Sequence, residues 1–586
     1  MAGEHGDRLG ARTRGPGHGR SGVDADTRGY LIELVQRYLP FFLVVAILLL
    51  LVIEAPTVAG GTGGGGTAGN AFASSPYAKS GTGAATGKAG RGSGTTGTTA
   101  AGAGAAGGTV GTTAGGSATA GGSAQSNVAT SGVACGPGVL QVPWSPYAPP
   151  CVPAFHGDNG GATSAGVTAS TITISYREEG ESTDVNAVRS ILPGVLPTDD
   201  QALYDLNVFL QIFNKTFELY GRHVVLKPYS AQGDALQELV GQDTQGAQED
   251  AATAAGLSAF GDITPLPTPL YAQALVQNHV VSFDSLLASS QFLSSSAPYA
   301  YSLVPALDTL GKLLVSVGCK IGTTPVTFAG NTGLNGKPRT FGVIVPENPQ
   351  FQGLESTVLA GLKACGISVP AVISYSIDLS TVQQQMQNAI SQMKAANVTT
   401  VICGCDPVGL IYATEAADQQ NFQPEWASEW LPDQFERLFS QDQWAHSVEF
   451  GLGPALPKQQ VEAYQVFKLA DPNGEPAEPL YQYLYYELFY LFEGLQAAGP
   501  DLTPASLLAG FQHLPDTAVG QAGSWTHGPG IYWPFSEAQV SYWSPTKVSA
   551  YDGKTGDFAS CFGGTWFSMF NTTNFPTTLD CPGQPT

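Results

Sequence analysis

The chain has 586 residues, 73 of them Gly, with 47 acidic against 25 basic side chains and a formal net charge of -22. The acidic balance reaches -25 from Ala134 onward, which repels phosphate backbones and excludes nucleic acid as a partner. Set aside the N-terminal segment and a Gly-rich stretch, and about 450 residues remain, too many for one core, so two lobes are predicted.

Six Arg precede an uncharged run, Tyr38–Ile53, and no Lys or Arg follows until Lys79. Its core, Phe41-Phe-Leu-Val-Val-Ala-Ile-Leu-Leu-Leu-Leu-Val-Ile53, is slightly short of the ~20 residues of a membrane span. Residues 38–56 are predicted to be a transmembrane signal anchor. The charge asymmetry places the tail, 1–37, in the cytoplasm and the rest outside the cell membrane. Thr57-Val58-Ala59 leaves open the alternative of signal cleavage and secretion. Residues 57–133 are Gly, Thr, Ala and Ser with almost no charge. Such a stretch cannot bury enough apolar surface to offset its chain entropy and is expected to be a disordered linker. Lys88 follows Gly87, but Thr82 stands where a phosphate-binding loop needs Gly.

The folded block, 134–586, carries all eight Cys. An even number outside the membrane fits disulfides. Cys135 with Cys151 and Cys561 with Cys581 are sequence-local candidates. Cys319, Cys365, Cys403 and Cys405 allow three pairings, which stay open, and buried free thiols are the alternative. Thr171–Ser175 alternates like a strand. A helix follows, capped by Asp199 or Asp200, with Leu203, Leu206, Leu210, Phe213 and Phe217 on one face and Gly221 as its stop. Val224–Leu226 reads as a strand, 251–257 as a helix and Val280–Phe283 as a strand. The grammar repeats with strand Phe341–Val345, a helix through Leu354, Val358 and Leu362, strand Ala371–Tyr375, a helix through Val382, Met386, Ile390 and Met393, and strand Val398–Cys403. Such alternation argues for parallel sheets covered on both faces, in two doubly wound α/β lobes. A long helix, 480–498, reads as core packing plus amphipathic surface despite its many Tyr and Phe.

Motifs for catalysis are missing from the eight His and the scattered Ser: there is no H-E-x-x-H and no G-x-S-x-G. No catalytic residue, metal site or cofactor is expected. Cys403-Gly-Cys405 reads as a disulfide or buried thiols before it reads as a metal or redox site.

Gly166-Val-Thr-Ala-Ser-Thr-Ile-Thr-Ile174 resembles the opening strand of type I periplasmic solute-binding proteins, the family of the leucine/isoleucine/valine-binding proteins of ABC importers, here of the actinobacterial type. The resemblance continues through Phe213-Asn214, Gly221-Arg222, Phe341–Val345 with the loop to Gly353, and Ala497-Ala-Gly499 followed by Leu507–Leu514. The family's Gly-Gly pair is missing before Gly221, where Glu218-Leu-Tyr stands. The resemblance implies a Venus-flytrap fold. Lobe 1 would span about 165–302 and 452–523, and lobe 2 about 303–451 and 524–575, with crossovers near Ser302, Gly451 and Ser524. It implies a binding protein that captures a small polar metabolite, such as an amino acid or amide, and passes it to an ABC permease. A ligand sensor without transport, or an extracellular hydrolase, are the alternatives. Ligands sit outside the carboxyl ends of parallel strands. That position marks Arg177, Glu178, Glu179, Thr264, Thr268, Ser282 and Ser285 in lobe 1. In lobe 2 it marks Glu347, Phe351, Cys405 and Asp406. In the family, hydroxyls and helix-end amides hold a ligand carboxylate and an acid holds its amine, a role open to Asp406 or Glu347. Each residue also reads as a solvated loop or helix cap. The Pro-rich Thr264-Pro-Leu-Pro-Thr268 loop departs from the Ser/Gly-rich family pattern.

Overall fold

The computed structural model describes residues 127–585 apart from 181, 266, 284, 286, 430, 572–574 and 576–580. The expected cytoplasmic tail, the anchor helix and the linker up to residue 126 lie outside the described residues. Folded chain already begins within the expected linker: the Cys135 N–H donates to the Asn127 carbonyl and Val128 bridges Ala134. Among the described residues no helix is long and apolar enough to cross a membrane.

Strand β1 (Thr171–Glu178) runs three residues past its alternating stretch, because Arg177 finds buried acids. Helix α1 (Thr183–Ile191) follows, an element without a clear sequence signal. Helix α2 (Asp199–Thr216) is capped by Thr198, whose hydroxyl accepts from Gln201 N–H while the Gln201 side chain accepts from Thr198 N–H. Asp199 and Asp200 are therefore not the cap; they lie in the first turn, against the positive end of the helix dipole. The helix stops at Thr216, short of Gly221. Phe217 turns extended, and the Glu218 carboxylate accepts from the Tyr220 and Phe155 N–H groups. Gly221 then serves the turn into β2 (His223–Ser230), with φ 81°.

Helices α3 (Ala235–Leu239), α4 (Thr244–Gly256), α5 (Pro269–Gln277) and α6 (Ser290–Ser295) alternate with two short strands, β3 (Gly261–Asp262) and β4 (Val281–Ser282). The second run comprises α7 (Leu307–Ile321), β5 (Phe341–Pro346), α8 (Gln352–Ala364), β6 (Ala371–Tyr375), α9 (Val382–Ala395), β7 (Thr400–Cys403), α10 (Pro407–Gln419), β8 (Glu425–Glu429), α11 (Asp433–Glu436), α12 (Gln441–Trp444) and β9 (Ser447–Gly451). The chain then returns to the first core with α13 (Glu462–Ala470), α14 (Tyr481–Ala498) and α15 (Pro504–His513). It ends in the second with β10 (Glu537–Val548), β11 (Thr555–Ser560) and β12 (Phe567–Ser568).

Two sheets result. Lobe 1 has the all-parallel order β2-β1-β3-β4. Lobe 2 has β6-β5-β7-β8-β9 in parallel, then β10 and β11 antiparallel, with β12 paired to β10. The expectation of purely parallel sheets thus holds for lobe 1 and is corrected for lobe 2. The turn between Val548 and Thr555 is too short for a crossover, so β11 must run back beside β10.

Helix α14 departs from the amphipathic expectation. Of its 18 residues 14 are buried, because α2, α15 and the segment around Trp525 surround it. Phe489 packs edge-on to Phe213 and Phe217, and Tyr490 stacks on Phe511 at 4.4 Å. Its aromatic residues are core.

Four disulfides close the described chain: Cys135–Cys151, Cys319–Cys365, Cys403–Cys405 and Cys561–Cys581. The second ties α7 to the end of α8, two helices that pack side by side.

Candidate functional site

Both lobes share the strand order 2-1-3-4. In such sheets the crevice forms where the order reverses, at the carboxyl ends of the first and third strands. In lobe 1 this is the end of β1 beside β3, where Ser175 pairs with Asp262. In lobe 2 it is the end of β5 beside β7, where Ile344 pairs with Cys403.

The lobe 1 end is filled by its own polar groups. The Arg177 guanidinium is fully buried and lies 4.1 Å from the centre of the Tyr271 ring. It donates to Glu179 Oε1 at 2.7 Å and to Glu238 Oε1 at 2.9 Å, with Asp250 Oδ2 at 3.5 Å. Asp262 accepts from the hydroxyls of Ser175 at 2.6 Å, Thr264 at 2.6 Å and Tyr271 at 2.9 Å. Thr264 Oγ1 also accepts from the Arg177 N–H. Thr268 donates to Glu238 and caps α5 by accepting from Tyr271 N–H. Burial raises the carboxyls of Glu238, Asp250 and Asp262, and pushes Glu179 up to about 7, against the opposing pull of Arg177. Arg177, Glu179, Thr264 and Thr268 are thus brought together, and they bind one another. Ser282 stands beside Asp262 in the β3–β4 pair, and its hydroxyl shares a 3.0 Å hydrogen bond with that of Ser285, both buried. Glu178 is partly exposed, its carboxyl raised by partial burial and by Asp199 and Asp200.

The lobe 2 end is built differently. Glu347 is exposed, and its N–H donates to the Tyr375 carbonyl. Phe351 is buried in the apolar cluster with Leu354. Asp406 caps α10: Oδ1 accepts from Val408 and Gly409 N–H, and Oδ2 accepts from the Tyr375 hydroxyl at 2.5 Å. Cys405 is held in its disulfide. These four do not converge on one point.

One residue that the sequence reading passed over stands out. Glu429 ends β8 and is partly buried, and burial pushes its carboxyl up to about 7. It is close enough to Tyr375 to act on the hydroxyl's titration alongside Asp406. Among the described residues nothing donates a hydrogen bond to it. The sequence carried no local signal for it, because Glu425-Trp-Ala-Ser-Glu429 does not alternate like a strand.

The lobes touch over this region. Asn348 Nδ2 and Gln350 Nε2, after β5, both donate to the Leu239 carbonyl of α3, at 3.2 and 3.1 Å. Leu192 and Val195, after α1, belong to the buried lobe 2 cluster that holds Ile344, Tyr375 and Val408, with Val188 and Ile191 packed against it. A lobe 1 segment therefore lies over the lobe 2 strand ends.

No protein-family model matches the chain and no curated protein matches it. Solved structures do. A leucine-, isoleucine-, valine-, threonine- and alanine-binding protein from Brucella ovis, in its closed conformation, is 15% identical, with TM-score 0.49, over 70% of this chain and 98% of that one. A solute-binding protein of an ABC transporter from Rhodopseudomonas palustris, in complex with 3,4-dihydroxybenzoic acid, is 10% identical, with TM-score 0.48, over 68% and 98%. A periplasmic binding protein type 1 from Bordetella pertussis is 13% identical, with TM-score 0.46, over 67% and 100%. By their own descriptions these three solved structures are binding proteins, one of them a periplasmic binding protein type 1.

Proposed function

We propose that this chain is an extracytoplasmic solute-binding protein, held at the cell membrane by its N-terminal segment, that closes two lobes around a small polar metabolite and delivers it to an ABC importer. The role is capture and release, not catalysis. The observation that carries the reading is the Glu429 carboxyl. It sits at the end of a lobe 2 strand near Tyr375, whose hydroxyl bonds Asp406, and among the described residues nothing donates a hydrogen bond to it. An unpaired, partly buried acid costs stability, and a ligand ammonium would offset that cost. The fitting class is an amino acid, amide or amine. Hinge motion that lifts the α1 segment off lobe 2 would admit it.

Calorimetry and thermal unfolding against amino acids, amides, amines and neutral controls test this. Ligand at 100 times its dissociation constant is expected to add about 2.7 kcal/mol of stability. Glu429→Gln should weaken an ammonium-bearing ligand by about tenfold or more, roughly 1.4 kcal/mol. Absence of any stabilising ligand in these classes, or an affinity indifferent to Glu429→Gln, would sink the reading.

A further inference from the structure

The lobes also meet at the turn between β10 and β11. This turn carries Tyr551, a lobe 2 residue that packs against the lobe 1 core. Its hydroxyl donates to the Glu478 carboxylate, 2.6 Å from either oxygen. Glu478 precedes α14 of lobe 1, and Tyr481 is the first residue of that helix. The Tyr481 hydroxyl lies 2.9 Å from that of Tyr551. Tyr551 has a single proton and directs it at the carboxylate, so Tyr481 is the donor to Tyr551. Lys458, in the stretch that leads from β9 back to lobe 1, places Nζ 2.9 Å from Glu478 Oε1.

The turn is itself tied to the helix that follows β8. Ser549 Oγ donates to Asp433 Oδ2 at 2.9 Å and accepts from the Tyr551 N–H at 3.2 Å. Arg437 reaches the Asp552 carboxylate with two nitrogens, at 2.7 and 3.1 Å, and also donates to the Gly556 carbonyl. Asp433 opens α11, shortly after Glu429 ends β8. A run of hydrogen bonds thus leads from α11, through Asp433, Ser549 and Tyr551, to a lobe 1 carboxylate. Tyr551 is half-buried, and Asp552, Gly553 and Lys554 beside it are exposed. When a polar contact at such a place parts, water takes up its donors and acceptors, so the net cost of opening is modest. A contact of this kind can hold two lobes and still release them.

We propose that the β10–β11 turn is a latch that holds the lobes closed through Tyr551, with α11 as its tie to the ligand side of lobe 2. Its use in capture rests on the reading above, but its test needs no solute. Val195→Cys places a lobe 1 thiol within the lobe 2 cluster, and Asn348→Cys places a lobe 2 thiol against α3. Lobes that part expose both thiols to a maleimide, so the two labelling rates follow the open population. In the full-length chain Tyr551→Phe keeps the ring and leaves Lys458 on Glu478. It should speed both labellings about tenfold. Ser549→Ala keeps Tyr551 but cuts the bond to Asp433, and should speed both about threefold; it decides the matter if Tyr551→Phe does not fold. Val466→Cys, in the lobe 1 core, reports unfolding, and its rate should stay unchanged. Unchanged rates at Val195→Cys and Asn348→Cys in Tyr551→Phe overturn the latch. So does a rise at only one of the two, or an equal rise at all three thiols, which would make Tyr551 a contact of general stability. A Ser549→Ala chain that labels like the parent overturns the tie to α11. A cleft that binds none of the solutes named above would leave these rates as they are, so either reading can fail alone.

Discussion

At the carboxyl ends of the lobe 1 strands, the carboxyls of Glu179, Glu238 and Asp250 gather around one guanidinium, with Asp262 beside them on three hydroxyls. In lobe 2, Glu429, Glu436 and Glu449 are buried or partly buried, and among the described residues no Lys or Arg contacts them. Burial pushes Glu429 up to about 7 and Glu449 up to about 8, and it holds Glu436 well above the usual carboxylate range, with Glu449 beside it as a second cause. A buried acid has two routes to neutrality, a fixed cation or a bound proton. The strand-end acids of lobe 1 use the cation, which also fixes geometry. Glu429, Glu436 and Glu449 of lobe 2 use the proton, which can be exchanged for a ligand's charge, whereas Glu425 in the same lobe is buried against Arg339 at 2.8 Å. The contrast is one between the two groups of acids: the lobe 1 strand end is rigid, and these three lobe 2 acids are the ones that respond.

The contrast breaks most visibly at Arg177. Arg177→Leu removes the cation and leaves several buried carboxyls uncompensated. Removing one partner of such a pair costs roughly 3–5 kcal/mol. Denaturant unfolding should show that loss near pH 7, and much less near pH 4, where the raised carboxyls of Glu179 and Glu238 take up protons. A loss below about 1 kcal/mol at pH 7 would mean that hydroxyl donors alone hold the lobe 1 acids, and the two jaws would be alike.

That network was out of reach of the sequence. Arg177 follows its strand by simple continuation, but its partners lie 61 and 73 residues away in the chain, and nothing local marks Glu238 or Asp250 as buried. The strands β1, β5 and β6 were legible because their apolar patterns are local. Strands β8 and β9 were not. Each carries buried Glu and Ser among its apolar residues, as in Glu425-Trp-Ala-Ser-Glu429 and Ser447-Val-Glu-Phe-Gly451, so the pattern reads as polar loop. Glu429 was lost with its strand. The Cys319–Cys365 pairing depends on α7 lying along α8, a packing fact rather than a spacing fact.

A smaller effect is expected from pH. The Glu449 carboxyl lies next to Glu436, and its Oε1 accepts from the Ser447 hydroxyl at 2.7 Å. In the unfolded chain it titrates near the ordinary value of 4.5, and burial pushes it up to about 8 in the fold. Its contribution is thus whole below pH 4.5, and is lost as pH rises towards and through 8. One such proton gives a slope of up to about 1.4 kcal/mol per pH unit. Glu449→Gln should remove it, so the variant gains about 2 kcal/mol on the parent between pH 6 and pH 8. Parallel stability curves for parent and variant would show that Glu449 is already ionised in the fold, and the proton-based account of lobe 2 would fail there.

The finest test separates the two lobe 2 acids that flank Tyr375. Asp406 is occupied as the cap of α10, accepting two backbone N–H bonds and the Tyr375 hydroxyl. Asn also caps helices well, so Asp406→Asn should cost less than about 1 kcal/mol. If Asp406 is only a cap, the affinity for an ammonium-bearing ligand should stay within about threefold, less than 0.7 kcal/mol. Glu429→Gln should cost about tenfold in the same titration. The pairing matters because both variants remove one negative charge from the same neighbourhood, so a general field effect would weaken binding in both. Equal losses would mean that the ligand senses the summed charge around Tyr375. A loss confined to Asp406→Asn would move the contact to the α10 cap. Only the unequal outcome, with Glu429 dominant, makes the unpartnered acid the one that meets the ligand.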